Sequence, residues 1–225
     1  MTAAEPMPDP KPKRRWPLAA GAALVLIVAA GAVYGIGGLP GNAGLTGPDG
    51  EPLCVKTHEV TARVKPAIHG EVAGLVPASQ PLSLSQLTFT NADGNKVSLA
   101  AWAGRTVLLN LWATWCAPCR AEMPALDKLQ AAMGNKAFEV VAVNIDTVGA
   151  DKPKKFLADI GVASLPFRSD PSLGIFKALQ KVGRSRGLPT TMLIDGEGCE
   201  IGTMYGPAEW DRPEAQKLIQ AALAK

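Results

Sequence analysis

The chain has 225 residues, of which 23 are Lys or Arg and 20 are Asp or Glu, so the formal net charge is +3. This length indicates one domain with additional segments. The nearly balanced charge, without a basic stripe that contains interspersed aromatic residues, excludes nucleic acid as an expected partner.

The first fifty residues divide into three segments of different composition. Residues 1–15 end in KPKRR, residues 16–36 carry no charge and are mostly Ala, Leu, Val, Ile and Gly, and residues 37–50 contain six glycines and two prolines. About 20 apolar residues are enough to span a bilayer as a helix, and preceding basic residues keep the start of a chain in the cytoplasm. We therefore expect a cytoplasmic tail (1–15), a single inner-membrane anchor (16–36) and a flexible tether (37–50). A cleaved signal peptide is the alternative for the apolar segment.

Residues 51–225 then form the predicted periplasmic domain, with an N-terminal extension over residues 51–81. Its sequence predicts a hairpin near the start, two buried strands separated by a helix, further helices, a second hairpin and a terminal amphipathic helix. The predicted strands are 86–90, 96–99, 106–112, 138–145, 191–194 and 201–205, and the predicted helices are 116–133, 153–159, 172–180 and 210–223. This order favours an α/β fold with a mixed central sheet flanked by helices.

A pair of cysteines, Cys116 and Cys119, occurs at the predicted start of the first long helix, within Trp-Cys-Ala-Pro-Cys. The N-terminus of a helix presents unpaired N–H groups and the positive end of its dipole, which favour a thiolate. We therefore expect Cys116 to be the nucleophile of a thiol–disulfide exchange and Cys119 to be its partner. The alternative is half of a zinc site, for which the sequence offers no second ligand pair.

Two segments resemble the thioredoxin superfamily: VLLNLWATWCAPCR at residues 107–120 and GLPTT at residues 187–191. The resemblance covers about residues 82–224 and implies a thioredoxin-like fold, protein-disulfide oxidoreductase activity and no cofactor or metal. It also implies a cis peptide bond before Pro189 and a position for this proline facing the disulfide, although an ordinary strand-initiating proline is an alternative. The expected contacts with substrate are Trp115, Ala117, Pro118 and Leu188.

Glu122 follows Cys119 by about one helical turn, where a carboxylate can accept or return the proton of that cysteine. Its motif, CxxC-RxExP from Cys116 to Pro124, resembles the TlpA/ResA group of membrane-tethered reductases. Asn110 stands where cytosolic thioredoxins carry a buried aspartate. The alternative for Glu122 is a solvated side chain on the helix surface.

The remaining cysteines, Cys54 and Cys199, are left to pair with each other if the first two form a disulfide. An oxidising compartment favours a structural bridge, and two free buried thiols are the alternative. Near Pro189 the sequence is basic, which predicts a solvated surface or, less simply, a patch for an acidic partner. The basic residues are Arg168, Lys177, Lys181, Arg184 and Arg186.

The resemblance to the TlpA/ResA group, together with the anchor, implies a periplasmic reductant of cysteine pairs in copper-site assembly proteins of cytochrome oxidase. The implied clients are a copper chaperone or the oxidase copper subunit, and the implied electron donor is an inner-membrane protein of the CcdA/DsbD kind. Reduction of apocytochrome c is an alternative, and a disulfide-donating periplasmic oxidase is a second one. A copper chaperone is not expected, because the spacing is CxxC and no histidine follows His69.

Overall fold

A computed structural model describes residues 54–224 of the chain. The predicted tail (1–15), anchor (16–36) and tether (37–50) lie outside the described residues. Within residues 54–224, no helix combines the length and the apolar character needed to cross a membrane.

The described residues form one eight-stranded mixed sheet. Its strands are β1 (Leu75–Pro77), β2 (Thr88–Thr90), β3 (Lys96–Ser98), β4 (Thr106–Trp112), β5 (Phe138–Asn144), β6 (Arg168–Ser169), β7 (Thr190–Ile194) and β8 (Glu200–Tyr205). The order across the sheet is β1-β8-β7-β4-β5-β6-β2-β3. Strands β4, β5 and β6 are parallel to one another, and the other neighbouring pairs are antiparallel.

The three central strands form the core of the domain. Every residue of β4, β5 and β7 is buried. Because successive side chains of a strand point to opposite faces, this burial means that both faces of the sheet are covered. Five α-helices lie in the described residues: α1 (Thr57–Val64), α2 (Ala117–Met133), α3 (Asp151–Asp159), α4 (Gly174–Lys181) and α5 (Pro213–Leu223).

The N-terminal extension is fastened to the rest of the domain by its helix. Helix α1 packs against α5 and β8. The hydroxyl of Thr57 donates to Oδ2 of Asp195 over 2.6 Å, and Nε of Arg63 donates to the carbonyl of Ala221 over 2.9 Å. Residues 54–81 are therefore an integral part of the fold.

The predicted α/β architecture is confirmed, including the mixed sheet, the flanking helices, the N-terminal extension and the hairpin. The predicted strand 106–112 matches β4 residue for residue. The predicted start of the terminal helix at residue 210 is wrong: α5 begins at Pro213, which occupies its first turn, and Trp210 lies in the preceding loop. A proline suits the first helical turn, because the N–H it lacks has no partner there.

The two ends of the sheet carry different cysteines. The segment with Cys116 follows the end of β4, and residue Leu111 of β4 lies opposite Thr190, the first residue of β7. Pro189 is therefore at the same end of the sheet as the cysteine pair. The turn that carries Cys199 follows the other end of β7, about 17 Å away at 3.4 Å per residue.

Candidate active site

The cysteine pair lies where β4 leads into α2. Cys116 is the N-cap of α2 and has extended backbone, with φ −89° and ψ 101°. Its sulfur is bonded to that of Cys119 and also accepts a hydrogen bond from the N–H of Cys119 over 3.3 Å. The Cys119 N–H, in the first turn of α2, therefore points at the Cys116 sulfur, an arrangement that stabilises a thiolate after reduction.

The two cysteine residues differ in their exposure to solvent. Cys116 is 6% exposed, whereas Cys119 is fully buried. An attacking partner therefore reaches Cys116 first, and Cys119 is shielded by the helix that carries it. This asymmetry is the geometric basis for assigning different roles to the two cysteines.

The carboxylate of Glu122 lies in the core, one helical turn after Cys119. It is 3% exposed and accepts three hydrogen bonds from neutral groups. Asn110 Nδ2 donates to Oε1 over 2.8 Å, and the Ala208 N–H and the Trp210 indole Nε1–H each donate to Oε2 over 3.3 Å. The alternative of a solvated glutamate is therefore wrong.

Burial raises the pKa of Glu122 from its ordinary value of 4.5 to about 7, and the hydrogen bonds from Asn110, Ala208 and Trp210 oppose this rise. Desolvation penalises the charged form, while donors to the carboxylate favour it. A group with a pKa near the ambient pH is well suited to both accepting and returning a proton. Asn110 also donates to the hydroxyl of Thr191 over 2.9 Å, which links β4 to β7 beneath the cysteine pair.

A buried carboxylate also holds the segment that precedes Cys116. Asp146, which follows β5, accepts hydrogen bonds from the Thr114 N–H over 3.1 and 3.3 Å and from Asn144 Nδ2 over 3.1 Å. Asp146 is not among the site residues that the sequence predicts. The one sequence feature that could have indicated it is its position directly after a predicted buried strand, at the edge of the sheet where β4 also ends.

The predicted substrate contacts adjoin the cysteine pair in the sequence or, for Leu188, directly precede Pro189. Trp115 is 66% exposed, Ala117 and Pro118 are exposed, and Leu188 is partly buried. The peptide bond between Leu188 and Pro189 is cis, and Pro189 itself is buried. These residues lie at one end of the sheet, and their contact with a substrate stays a prediction.

The basic segment near Pro189 differs from the predicted solvated surface. Arg168 is only 6% exposed, pairs with Glu139 and packs against the ring of Trp102. Arg184 donates to both oxygens of the buried Glu200 carboxylate over 2.6 and 2.8 Å. Two of the five basic residues therefore stabilise the interior instead of presenting charge to a partner.

The second cysteine pair, Cys54 and Cys199, is joined as a disulfide with a Cα–Cα distance of 5.5 Å. Both residues are buried, at 5% and 1% exposure. The bond connects the start of the extension to the turn between β7 and β8, at the end of the sheet away from Cys116. No group of three or more His, Cys, Asp or Glu side chains with the spacing of a metal site occurs within residues 54–224.

Comparisons with known proteins assign the class. The Redoxin family model matches residues 72–219. The solved structure of a thiol:disulfide interchange protein DsbE from Chlorobium tepidum is 34% identical and aligns with a TM-score of 0.53 over 63% of this chain and 96% of its own. The fold is thus the thioredoxin-like α/β fold, and the site is a redox-active disulfide of the kind found in thiol–disulfide oxidoreductases.

The chain belongs to the Redoxin family and is of the TlpA/ResA type within the thioredoxin superfamily. The thiol-disulfide oxidoreductase ResA of Oceanobacillus iheyensis is 34% identical over 137 residues, which are 61% of this chain and 68% of that protein. The thioredoxin-like protein YneN of Bacillus subtilis is 38% identical over 117 residues, which are 50% of this chain and 65% of that protein. The alignments span about two thirds of the length of these relatives.

Proposed function

We propose that this chain is a membrane-anchored, periplasmic protein-disulfide reductase whose clients are the oxidised cysteine pairs of copper-site assembly proteins for cytochrome oxidase. The observation that carries the redox part is the disulfide between Cys116, at the exposed N-terminus of α2, and Cys119, buried one turn from a carboxylate whose pKa is about 7. The anchor over residues 16–36 and the copper-assembly clients are supported by the sequence and by the resemblance to the TlpA/ResA group.

The reaction begins with the reduced pair. The Cys116 thiolate attacks one sulfur of the client disulfide, which forms a mixed disulfide and releases the second client sulfur as a thiolate that takes up a proton. The carboxylate of Glu122 accepts the proton of the Cys119 thiol. The resulting Cys119 thiolate attacks Cys116, which restores the intramolecular disulfide and releases the other client sulfur, which is then protonated. Two electrons pass to the client, and two protons accompany them.

The chain must be reduced again after each turnover. The resemblance to the TlpA/ResA group supports an inner-membrane reductase of the CcdA/DsbD kind, which presents its own dithiol, as the proposed donor. The proposed tether over residues 37–50 spans on the order of 20 Å as a flexible coil. That length allows the domain to meet both a donor in the same membrane and a client near it.

The direction of electron flow is tested by mixing the reduced protein with an oxidised dithiol copper chaperone and counting free thiols on both partners. The expected result is that thiols appear on the chaperone and disappear from the Cys116/Cys119 pair. The equilibrium potential of this pair against glutathione provides the quantitative measure, because 30 mV corresponds to about 1.4 kcal/mol for a two-electron couple. Net flow in the opposite direction would instead identify a disulfide-donating oxidase.

The identity of the client is tested with a trapping variant. Cys119→Ser removes the resolving sulfur, so it should accumulate a mixed disulfide between Cys116 and the client. Cys116→Ser, which lacks the attacking sulfur, is the matched control and should trap nothing. A trapped apocytochrome c in place of a copper-assembly protein would favour the alternative client.

A further inference from the structure

The loop between β8 and α5, residues 206–212, contacts the carboxylate that we assign to proton exchange with Cys119. Two of the three hydrogen bonds to Glu122 come from this loop, through the N–H of Ala208 and the indole N–H of Trp210. These donors are 86 and 88 residues away from Glu122 in the sequence. The local motif around the cysteines therefore does not contain the groups that surround its carboxylate.

Trp210 is held in one place by its surroundings. Its side chain is fully buried, and a buried indole N–H needs an acceptor, which Glu122 provides. One residue further, Asp211 pairs with Lys128 of α2 over 3.0 Å. The loop therefore contacts α2 at two points, Glu122 and Lys128.

We propose that Trp210 is a positioning residue for the thiol chemistry. Its indole N–H orients the Glu122 side chain and stabilises its ionised form. The 206–212 loop thereby sets the pH range in which this carboxylate can take the proton of Cys119. The proposal rests on the proposed function for the role of Glu122. Its physical basis is that every hydrogen bond to the carboxylate is donated by a neutral group, and such donors favour the charged form of an acid.

The other groups near this carboxylate are identified by element. Helix α2 contributes the sulfurs of Cys116 and Cys119, which do not titrate while they are bonded to each other, and Lys128, which is paired with Asp211. Strands β4 and β7 contribute only neutral polar side chains. The loop itself contributes Glu209 and Arg212, which are both exposed, and Asp211, the partner of Lys128. Removing the indole N–H from this set leaves two donors, and we expect the pKa of Glu122 to rise from about 7 by about one further unit.

The first test uses the unaltered, oxidised full-length protein. The carboxyl ¹³C resonance of Glu122 and the indole Nε1–H resonance of Trp210 should titrate with one common inflection, which Glu122→Gln should abolish. Trp102 provides an internal reference, because its indole donates to a different carboxylate, Glu139, over 2.9 Å. A Trp210 resonance that does not follow the Glu122 titration overturns the proposal.

The second test compares Trp210→Phe with Trp102→Phe. Each variant removes an indole N–H from a carboxylate, but only the first touches Glu122, so the pair controls for general loss of stability. The measured quantity is the rate at which Cys119 releases a cysteine-containing peptide from a mixed disulfide with Cys116, as a function of pH. Trp210→Phe should move the inflection upward by about one pH unit, which slows release about tenfold on the acidic side, and Trp102→Phe should leave the inflection in place.

An unchanged inflection in Trp210→Phe, or an equal displacement in Trp102→Phe, contradicts the proposal. If Trp210→Phe does not fold, the titration of the unaltered protein still decides the question. A wild-type protein that releases no peptide at any pH refutes the proposed function instead, whereas the coupled titration of Trp210 and Glu122 does not depend on any turnover.

Discussion

The substitution Glu122→Gln should change how the stability of the protein depends on pH. In the unfolded chain this carboxyl ionises near its ordinary pKa of 4.5, whereas in the folded protein burial raises its pKa to about 7. Between these values the folded protein keeps a proton that the unfolded chain has lost. Unfolding then releases a proton, so rising pH favours unfolding.

The size of this effect follows from the displacement of the pKa. The stabilisation is fully present below pH 4.5 and is lost as the pH rises through about 7. At 1.36 kcal/mol per unit, the loss amounts to about 3 kcal/mol of unfolding free energy. Since glutamine does not titrate, the Glu122→Gln variant should lack this decline.

The assay is urea unfolding of the oxidised protein at a series of pH values from about 4 to 8.5. The informative quantity is the slope of the unfolding free energy against pH. The absolute stability of Glu122→Gln is expected to be lower in any case, because the glutamine amide would face the N–H donors of Ala208 and Trp210. Glu209→Gln, on the same loop but exposed, should keep the wild-type slope. If the difference in unfolding free energy between Glu122→Gln and wild type stays constant over this range, the folded protein does not keep the Glu122 carboxyl protonated between pH 4.5 and about 7, and the argument is refuted.

Three further outcomes are expected. Replacing Cys54 and Cys199 by Ser opens a loop with a sequence separation of 145, and the unfolding free energy should fall by up to about 5 kcal/mol while client reduction continues. Thermal unfolding and turnover, measured on the same variant, check this outcome. A folded variant that has lost turnover contradicts it. Arg184→Gln leaves the buried Glu200 carboxylate without its cation and should lower the unfolding free energy by about 2 kcal/mol. In a double-mutant cycle, the addition of Glu200→Gln should recover a part of this loss. Equal stability of Arg184→Gln and wild type contradicts the ion pair. Iodoacetamide should alkylate Cys116 of the reduced, folded protein before the second cysteine of the pair, and mass mapping that finds the reverse order excludes Cys116 as the nucleophile.

The elements that could be predicted from the sequence are those whose own residues specify them. Strand β4 was predicted with its exact bounds because seven consecutive residues are mostly apolar and lack alternation, which is typical of a strand buried on both faces. Strands β1 and β6, of three and two residues, were not predicted, and they form by pairing with the longer strands β8 and β5. Helix α1, with the sequence THEVTARV, carries no side-chain cap and is held by contacts with α5 and β8.

The candidate site likewise contains some features that a local sequence pattern predicts and others that depend on residues far away in the chain. The order of Cys116, Cys119 and Glu122 along one helix is local, so the sequence contains it. The burial of Glu122 depends on Ala208 and Trp210, which no local pattern connects to it. Nor does a local pattern distinguish Arg184, bound to a buried carboxylate, from an exposed arginine, because the partner comes from a strand that follows it in the chain.

The disulfide between Cys54 and Cys199 determines where a mechanical load on the start of the domain is carried. The sulfur of Cys54, at the start of the extension, is bonded to the turn after β7, at the end of the sheet away from Cys116. The chain thus enters the domain at one pole, while the exposed indole of Trp115 marks the opposite pole. Tension applied to residue 54 therefore passes through the bridge into the turn after β7, and the reactive cysteines at the other end of the sheet lie outside that path.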